Sequence, residues 1–521
     1  MGLGAPQIVN REAVRPVCLL SDHSGTLAAV VAVGAAIRLY LCFANFCISG
    51  DGAAYLGMAK DYAAGNWRAP LTSVFSPLYP LLIAGLHWVV PNWELAGDLV
   101  SALMGTAAIG SIYLLTRQMF GRRDLALGAA AFAAIHPDLA AYSASVRTES
   151  GYILLTTTAT ALLFIAVARR RRGFALLCGL VSGLAYLYRT EAIGFLMLNP
   201  LFPLAAALLY GDLPLIDGLG LGLLIFLGAM TFAVPYLVLV HAATGVWTIS
   251  RELTAAIMFT LGSATGDSQK WRELAFSPHA SAWSALVRHP MVYVGAIAQD
   301  FGASLYAFAQ AAGPVIGVLL PVGLWQRGRR IVFSAREAFV SFLILFYFCG
   351  FAVTLTGARF MIHLIPYTLG WIVIGLAEIT GWFARYGATH GWRSARAIPA
   401  FLAAAIMLPQ TLWPIGFDMR GVRYAGERIA QLNATHAAVA ARDGRVAWYA
   451  GARAVQLPAR AAPPLCDWLR THADVGYLLL DNHDEALFAA RHQACVTLLS
   501  RYARYGSGYY DLYAVRREAA S

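Results

Sequence analysis

Long apolar segments that recur along the chain constrain its fold more than any other feature of the sequence. A helix that crosses a membrane needs about 20 predominantly apolar residues, and about eleven segments approach that length. They are residues 26–47, 96–117, 124–137, 149–168, 173–188, 192–210, 218–241, 302–325, 336–356, 361–384 and 397–415. The sequence therefore predicts a polytopic α-helical membrane protein with about eleven transmembrane helices, in which residues 26–415 form the membrane domain.

Composition supports the same class. Hydrophobic residues make up 59% of the 521-residue chain and charged residues only 13%, whereas a soluble domain has about 25% charged residues. The net charge of +11 could suggest nucleic acid, but the arginines lie in short clusters between apolar segments. Because the chain has neither a basic helix nor a basic-aromatic sheet motif, we expect no nucleic-acid partner.

The arginine clusters also predict the orientation. Short loops rich in Arg and Lys stay on the cytoplasmic side, and every second loop carries such a cluster, with residues 211–217 as the exception. The clusters are Arg122 with Arg123, residues 169–172, residues 326–330, and Arg385 with Arg393 and Arg396. This pattern predicts a cytoplasmic N-terminal tail at residues 1–25, without the apolar core of a cleavable signal peptide. Asp51 then lies on the outer side.

Two long outer loops are expected, at residues 48–95 and 242–300. Within the first, Tyr55, Met58, Ala59 and Tyr62 recur at helical spacing, which predicts a helix lying along the membrane surface. A second apolar stretch, "SPLYPLLIAGLHWVVP", is short and bounded by prolines. It predicts another interfacial helix rather than a span.

The last hundred residues have a different character. Their density of Arg, Asp and His excludes a membrane location, and the pattern predicts a small extracytoplasmic α/β domain at residues 420–521. Four segments are predicted strands and "PPLCDWLRTHA" a helix. The strand segments are "GRVAWYAGARAVQL", "DVGYLLLD", "ACVTLLSRY" and "GYYDLYAVR". Cys466 and Cys495 are the only cysteine pair in this domain, and we expect a disulfide between them in an oxidising compartment.

Charged residues gather at the outer edge of the predicted helices. Asp51 lies between two glycines, and the triplet "RTE" occurs twice, with Arg147 and Glu149 in the first copy and Arg189 and Glu191 in the second. A structural role is the alternative for these pairs, because Glu near a helix N-terminus complements the helix dipole and Arg extends to the interface. For Asp51, the flanking glycines favour a turn that exposes the carboxylate.

A further cation, Arg359, enters the membrane edge, where charged side chains usually serve a function. The chain has no nucleophile elbow, phosphate-binding loop, dinucleotide motif or zinc-protease motif. The histidines share no ligand spacing. Asp51, Glu149 and Glu191 could together hold a divalent cation if they converge, but the sequence alone establishes no cofactor.

These motifs, in their order and spacing, resemble a known family. The matching stretches include "SGDGAAYLGMAKDYAAGNW", "GRRDLALGAAAFAAIHPDLAAYSASVRTESGYILL", "YLYRTEAIGFL", "GVWTISRELTAAI" and "ARFMIHLIPYTLGW". They resemble the bacterial branch of the GT-C glycosyltransferases, family 39-like enzymes related to protein O-mannosyltransferases and to the aminoarabinose transferase of lipid A. The resemblance extends over the whole membrane part of the chain.

The resemblance implies an inverting enzyme of the cell membrane that moves a sugar from a polyprenyl-phosphate carrier to a lipid, glycan or protein acceptor on the outer side. The family's catalytic acid after the first span corresponds to Asp51. Many members have Asp-Glu there, whereas this chain has Gly52, which puts a metal role for the loop in doubt.

The residues expected to bind substrate share the outer edge, where Arg can bind phosphate oxygens and an aromatic ring can stack on sugar. They are Tyr55, Lys60, Arg147, Glu149, Arg189, Glu191 and Arg359. Two alternatives stay open: a secondary transporter, which would also have many spans and charges inside the membrane, and a non-catalytic scaffold.

Overall fold

A computed structural model describes most of the chain. It describes residues 24–516 except 267–269, 272–273, 276, 278–285, 330–332, 355, 393, 433–436, 458–463, 485–489, 491–492 and 505–507. The predicted tail at residues 1–25 lies almost wholly outside the described residues.

Helices account for most of the described membrane part. The first half contains α1 (Ser24–Phe43), α2 (Gly52–Ala63), α3 (Arg68–Leu71), α4 (Leu78–His87), α5 (Trp93–Phe120), α6 (Arg123–Ile135), α7 (Pro137–Tyr142), α8 (Glu149–Arg169), α9 (Arg172–Tyr188) and α10 (Ile193–Tyr210). The second half contains α11 (Leu215–Thr244), α12 (Arg251–Thr265), α13 (Pro290–Gly328), α14 (Ala335–Val353), α15 (Ala358–Met361), α16 (Ile365–Thr389) and α17 (Ile398–Thr411).

Eight helical segments of the described chain are long and apolar enough to cross a membrane, and each overlaps one predicted span. The other three predicted spans, 124–137, 173–188 and 397–415, coincide with α6, α9 and α17. These helices have 13, 17 and 14 residues, shorter than the roughly 20 residues that a bilayer requires. The polytopic helical fold is confirmed, and these three segments stay predicted spans.

Small residues allow the helices to approach closely. Gly228 of α11 lies against the backbone of α9, where an added Cβ would come within 2.7 Å of the Leu176 carbonyl oxygen. Gly179 of α9 faces the α11 backbone in the same way. Such small-residue contacts are typical of helix packing in membranes, where van der Waals contact replaces the hydrophobic effect.

The two segments that the sequence predicts as interfacial helices form helices α2 and α4, and their place at the membrane surface stays a prediction. The face of α2 that carries Tyr55, Met58, Ala59 and Tyr62 is buried, as its spacing predicts. In the predicted outer loop 242–300, α12 forms a separate helix, and α13 already begins at Pro290.

The basic clusters and the charged group around Asp51 lie at opposite ends of the bundle. The Arg336 guanidinium donates to the Gln118 carbonyl, and Arg170 donates to the Asp212 carbonyl at 3.5 Å. The non-basic loop 211–217 therefore lies beside the arginine-rich loop 169–172. Asp51 and Arg359 meet at the opposite end.

The C-terminal part is a small α/β domain, as the sequence predicts. Its helices are α18 (Arg420–Leu432), α19 (Arg445–Ala450) and α20 (Leu465–Thr471), and its strands are β1 (Ala438–Ala441), β2 (Ala454–Gln456), β3 (Val475–Asp481), β4 (Val496–Ala503) and β5 (Tyr509–Val515). The strand order is β2-β1-β3-β5-β4. Strand β1 pairs parallel with β2 and β3, whereas β5 pairs antiparallel with β3 and β4.

One strand prediction is wrong in part. The segment 444–457 begins as helix α19 and only then forms the short strand β2. Val446, Ala447 and Ala450 are buried on one side of α19, a spacing typical of a helix. The Cys466–Cys495 disulfide is confirmed, with Cα atoms 5.7 Å apart.

Candidate functional site

A cavity of about 350 Å³ lies at the end of the bundle where Asp51 and Arg359 meet. Its charged lining consists of Asp51, Arg189, Glu191, Glu252 and Arg359. The remaining wall is largely apolar and includes Phe75, Phe259, Phe351 and Phe360. A cavity with one charged and one aromatic wall suits an amphiphilic ligand with a polar head and an apolar body.

Asp51 occupies the position just before α2, yet its side chain does not cap the helix. The carboxylate instead accepts a hydrogen bond from Nη1 of Arg359, and 33% of the side chain is exposed. The sequence predicts an exposed Asp51 carboxylate, and the side chain is partly exposed. The predicted cause, a turn that requires the flanking glycines, is not what the backbone shows. Gly50 and Gly52 do not have positive φ angles, and an added Cβ on Gly52 would lie 3.1 Å from Ser49 Oγ.

Two arginines link the carboxylates into one charged network. Arg359 donates to both Asp51 and Glu149. Arg189 donates to Glu149 Oε1 at 3.3 Å and forms two hydrogen bonds with Glu191, at 3.1 Å and 2.5 Å. Its Nη2 also lies 3.8 Å from Oε1 of Glu252. Glu149 is therefore central to the network, and its side chain is only 3% exposed.

Helix ends bring these side chains together. Glu149 is the first residue of α8, Arg189 follows α9 in extended conformation, and Glu252 is the second residue of α12. Asp51 at α2, and Ser250, Glu252 and Leu253 at α12, line the cavity. The N-termini of α2 and α12 therefore reach it, and the partial positive charge of a helix N-terminus favours anions.

Glu252 is a site residue that the sequence reasoning missed. Burial, together with the nearby charges of Glu191 and Asp51, raises its pKa to about 8, although Arg189 and Arg359 oppose the shift. This environment favours the protonated form of its carboxyl group. The available signal was its place in "GVWTISRELTAAI", one of the stretches that carry the family resemblance.

Four predicted substrate-binding residues are not part of the described lining of the cavity. Glu149 lies next to it, bound to Arg189 and Arg359, and the other three have different contacts. Arg147 packs over the Tyr142 ring at 4.8 Å. Lys60 is exposed and places its ammonium 4.0 Å from the ring centre of Trp448. Tyr55 is 2% exposed, and its ring packs against Phe75 and Tyr79 at centroid distances of 4.9 Å and 5.3 Å.

The carboxylates converge, but they do not form a metal centre. Asp51, Glu149 and Glu191 each accept hydrogen bonds from Arg359 or Arg189. A guanidinium group at each carboxylate opposes a bound cation by charge repulsion. No group of three His, Cys, Asp or Glu side chains in the described part of the chain is arranged to hold a metal ion. The residues present do not fit a divalent cation.

Comparison with known proteins agrees with this architecture. Residues 74–232 match the family model described as dolichyl-phosphate-mannose-protein mannosyltransferase. No match is found among curated proteins.

Solved structures are similar over most of the chain. ArnT from Cupriavidus metallidurans bound to undecaprenyl phosphate is 13% identical with a TM-score of 0.56, covering 95% of this chain and 98% of ArnT. The oligosaccharyltransferase AglB from Archaeoglobus fulgidus, in complex with an inhibitory peptide and a dolichol-phosphate, is 14% identical with a TM-score of 0.58, covering 88% of this chain and 69% of AglB.

A second structure of the Archaeoglobus fulgidus oligosaccharyltransferase, in complex with Zn and sulfate, is 13% identical. Its TM-score is 0.59, and the match covers 93% of this chain and 72% of that one. The chain is a multi-pass helical membrane protein that shares the fold of these solved structures, and residues 74–232 match the mannosyltransferase family model.

Proposed function

We propose that the chain is a glycosyltransferase that moves a sugar from a polyprenyl-phosphate carrier to an acceptor hydroxyl. The observation that carries the proposal is the cavity in which Asp51, Arg189 and Arg359 meet beside an aromatic wall. The structures of ArnT with undecaprenyl phosphate and of AglB with a dolichol-phosphate support a lipid-phosphate ligand. The sugar and the acceptor class (lipid, glycan or protein) are left open.

Asp51 acts as the general base in this proposal. It takes the proton from the acceptor hydroxyl, and the acceptor oxygen then forms a bond to the anomeric carbon of the donor. The bond between that carbon and the phosphate oxygen breaks, and the electron pair leaves with the polyprenyl phosphate. Attack from the face opposite the phosphate inverts the anomeric centre. A base of this kind typically contributes about 10²–10⁴-fold to the rate.

Arg359 and Arg189 would bind the donor phosphate and stabilise the charge that develops as it leaves. A guanidinium group can donate two parallel hydrogen bonds to phosphate oxygens. Arg359 donates to Asp51, so a phosphate that attracts Arg359 would also free the Asp51 carboxylate to act as the base. A neutral Glu252 limits the negative charge that faces this phosphate.

The aromatic side of the cavity, with Phe75, Phe259, Phe351 and Phe360, would contact the apolar part of the donor. In the predicted orientation, the cavity and the C-terminal domain face the outside of the cell membrane. The acceptor would then meet the donor at the outer surface, where the prenyl chain stays in the bilayer.

The test uses the purified full chain with undecaprenyl-phosphate-linked radiolabelled sugars, one at a time, and membrane extracts as the acceptor source. We expect label to move to an acceptor with the wild type and not with Asp51→Asn. Arg359→Ala should raise the apparent KM for the donor or lower turnover. The matched control is Arg122→Ala, because Arg122 is exposed at the opposite end of the bundle. If the labelled lipid instead moves across the membrane of vesicles that contain the protein, with its sugar still attached, the result would support a transporter.

A further inference from the structure

The segment that leads into Asp51 is held by the C-terminal domain. Ile48, three residues before Asp51, donates its backbone N–H to the Tyr449 hydroxyl at 2.9 Å. Nη1 of Arg445 donates to the Ile48 carbonyl at 3.3 Å. Both hydrogen-bonding groups of one peptide residue are therefore bound by side chains from helix α19, about 400 positions away in sequence.

Tyr449 and Arg445 together form a clamp on the Ile48 backbone, and both lie on one face of α19. Arg445, Trp448 and Tyr449 have the spacing that places helical residues on a common face. The indole N–H of Trp448 donates to Glu94 Oε1 at 2.9 Å, so the same face also contacts the start of α5. Lys60 of α2 completes the contact over the Trp448 ring.

The Arg445 side chain of the clamp is held in place by Asp443. Nε of Arg445 lies 2.8 Å and 3.0 Å from the two carboxylate oxygens of Asp443. These bonds hold the guanidinium in place beside Ile48. On the other side of the segment, Ser49 Oγ donates to the Val146 carbonyl at 2.7 Å. The segment just before Asp51 is therefore bound by the C-terminal domain through its backbone and by the membrane domain through the Ser49 side chain.

We propose that Tyr449 and Arg445 are positioning residues that hold the Asp51 carboxylate at its reactive place through the backbone of Ile48. The proposal rests on the proposed role of Asp51 as base. Neither side chain belongs to the described lining of the cavity, so they act through the segment and not on substrate. The C-terminal domain thereby becomes part of the catalytic apparatus.

The packing of α2 predicts that loss of the clamp lowers kcat and leaves the donor KM unchanged. Tyr55, Leu56 and Ala59 keep α2 buried in the membrane domain, so loss of the clamp should loosen the Asp51 loop without unfolding the protein. Arg189 and Arg359 would still bind the donor. Small displacements of a catalytic group can cost up to about 100-fold in rate, so turnover should fall while the donor KM stays unchanged.

The decisive variant is Tyr449→Phe, which removes one hydroxyl and keeps the ring. We expect kcat to fall about tenfold or more, with the donor KM within about twofold of the wild type. Hydrogen exchange of a peptide covering residues 45–52, measured in the full chain, should become faster because the Ile48 amide loses its acceptor. The matched control is Tyr424→Phe on α18, an exposed tyrosine of the same domain, which should change neither quantity.

A second series tests the arginine. Arg445→Ala should reproduce both effects, and Arg445→Lys should restore part of kcat because an ammonium can still donate to the Ile48 carbonyl. Unchanged exchange in Tyr449→Phe would overturn the clamp. If Tyr449→Phe makes the Ile48 amide exchange faster but leaves kcat unchanged, Tyr449 does not position Asp51. If the donor KM of Tyr449→Phe rises as much as kcat falls, Tyr449 contacts the donor, and the proposal is wrong.

The two proposals can fail separately. If the wild type transfers no sugar from any undecaprenyl-phosphate donor, the proposed function fails, whereas the exchange rates still decide whether α19 holds the segment. If Asp51→Asn keeps its activity while Tyr449→Phe loses it, the clamp positions some group other than Asp51, and the proposal as stated is wrong.

Discussion

Asp51 and Glu149 both bind Arg359, but the structure predicts opposite consequences when each loses its charge. The Asp51 side chain is 33% exposed and has Arg359 as its ion-pair partner. Glu149 is 3% exposed and bridges Arg359 and Arg189. Exposure therefore separates a carboxylate that can meet substrate from one that holds the site together.

In Asp51→Asn, Arg359 keeps its bond to Glu149, and solvent screens the lost interaction. A surface ion pair contributes about 0–1 kcal/mol, and the Asp51 side chain is one-third exposed, so the thermal stability should fall much less than in Glu149→Gln. The rate of sugar transfer should instead fall by about 10²–10⁴-fold, because the amide cannot accept the proton.

In Glu149→Gln, two largely buried guanidinium groups lose the carboxylate between them. Removing one partner of a buried ion pair costs about 3–5 kcal/mol. We expect the lower end of that range, because Arg359 keeps Asp51 and Arg189 keeps Glu191. The unfolding temperature should fall clearly, and any loss of activity should follow the loss of folded protein.

The assay compares both variants with the wild type in one detergent. Thermal unfolding is recorded at a fixed scan rate, and transfer is measured well below the lowest unfolding temperature. The reasoning is refuted if Asp51→Asn keeps more than half of the wild-type rate. It is also refuted if Glu149→Gln is as stable as the wild type.

Three other predictions follow from the charges and the disulfide. The pKa of Glu252 near 8 means that its carboxyl group ionises above that pH and adds negative charge beside the donor phosphate; the donor KM should then rise above pH 8 in the wild type and stay level in Glu252→Gln. Arg189→Ala should impair donor use more than Arg122→Ala, and equal effects would contradict the placement of the site. Reducing the Cys466–Cys495 bond should lower the free energy of unfolding by about 3 kcal/mol in the chain-entropy model. Denaturant unfolding with and without reductant measures this change, and an equal unfolding midpoint under both conditions would contradict it.

The fold could be predicted to a large extent because membrane helices leave a local signature. Apolar length located the eight described helical segments that are long and apolar enough to cross a membrane, and the spacing of Tyr55, Met58, Ala59 and Tyr62 located the buried face of α2. Strand β1 was not predicted, because it has no comparable local signature. Its four residues, Ala438–Ala441, are all buried, so they show none of the alternation by which a half-buried strand is recognised.

The network at the site depends on contacts that sequence spacing does not encode. Arg359 meets Asp51 across 308 positions, and Tyr449 meets Ile48 across 401. The sequence predicted that Asp51 and Arg359 lie at the same membrane edge, because topology assigns an edge to each helix end. It could not predict which of the residues at that edge touch, since this depends on how the helices pack.

The two "RTE" triplets show this limit most clearly, since identical letters take different roles. In the first, Glu149 begins α8 and is buried, while Arg147 lies before the helix and turns to the Tyr142 ring. In the second, Arg189 is extended after α9, and the following 3₁₀ turn brings Glu191 back to bind it. The triplet therefore supplies its glutamate to the network in one case and both charges in the other, because a helix begins at the glutamate in the first copy and ends before the arginine in the second.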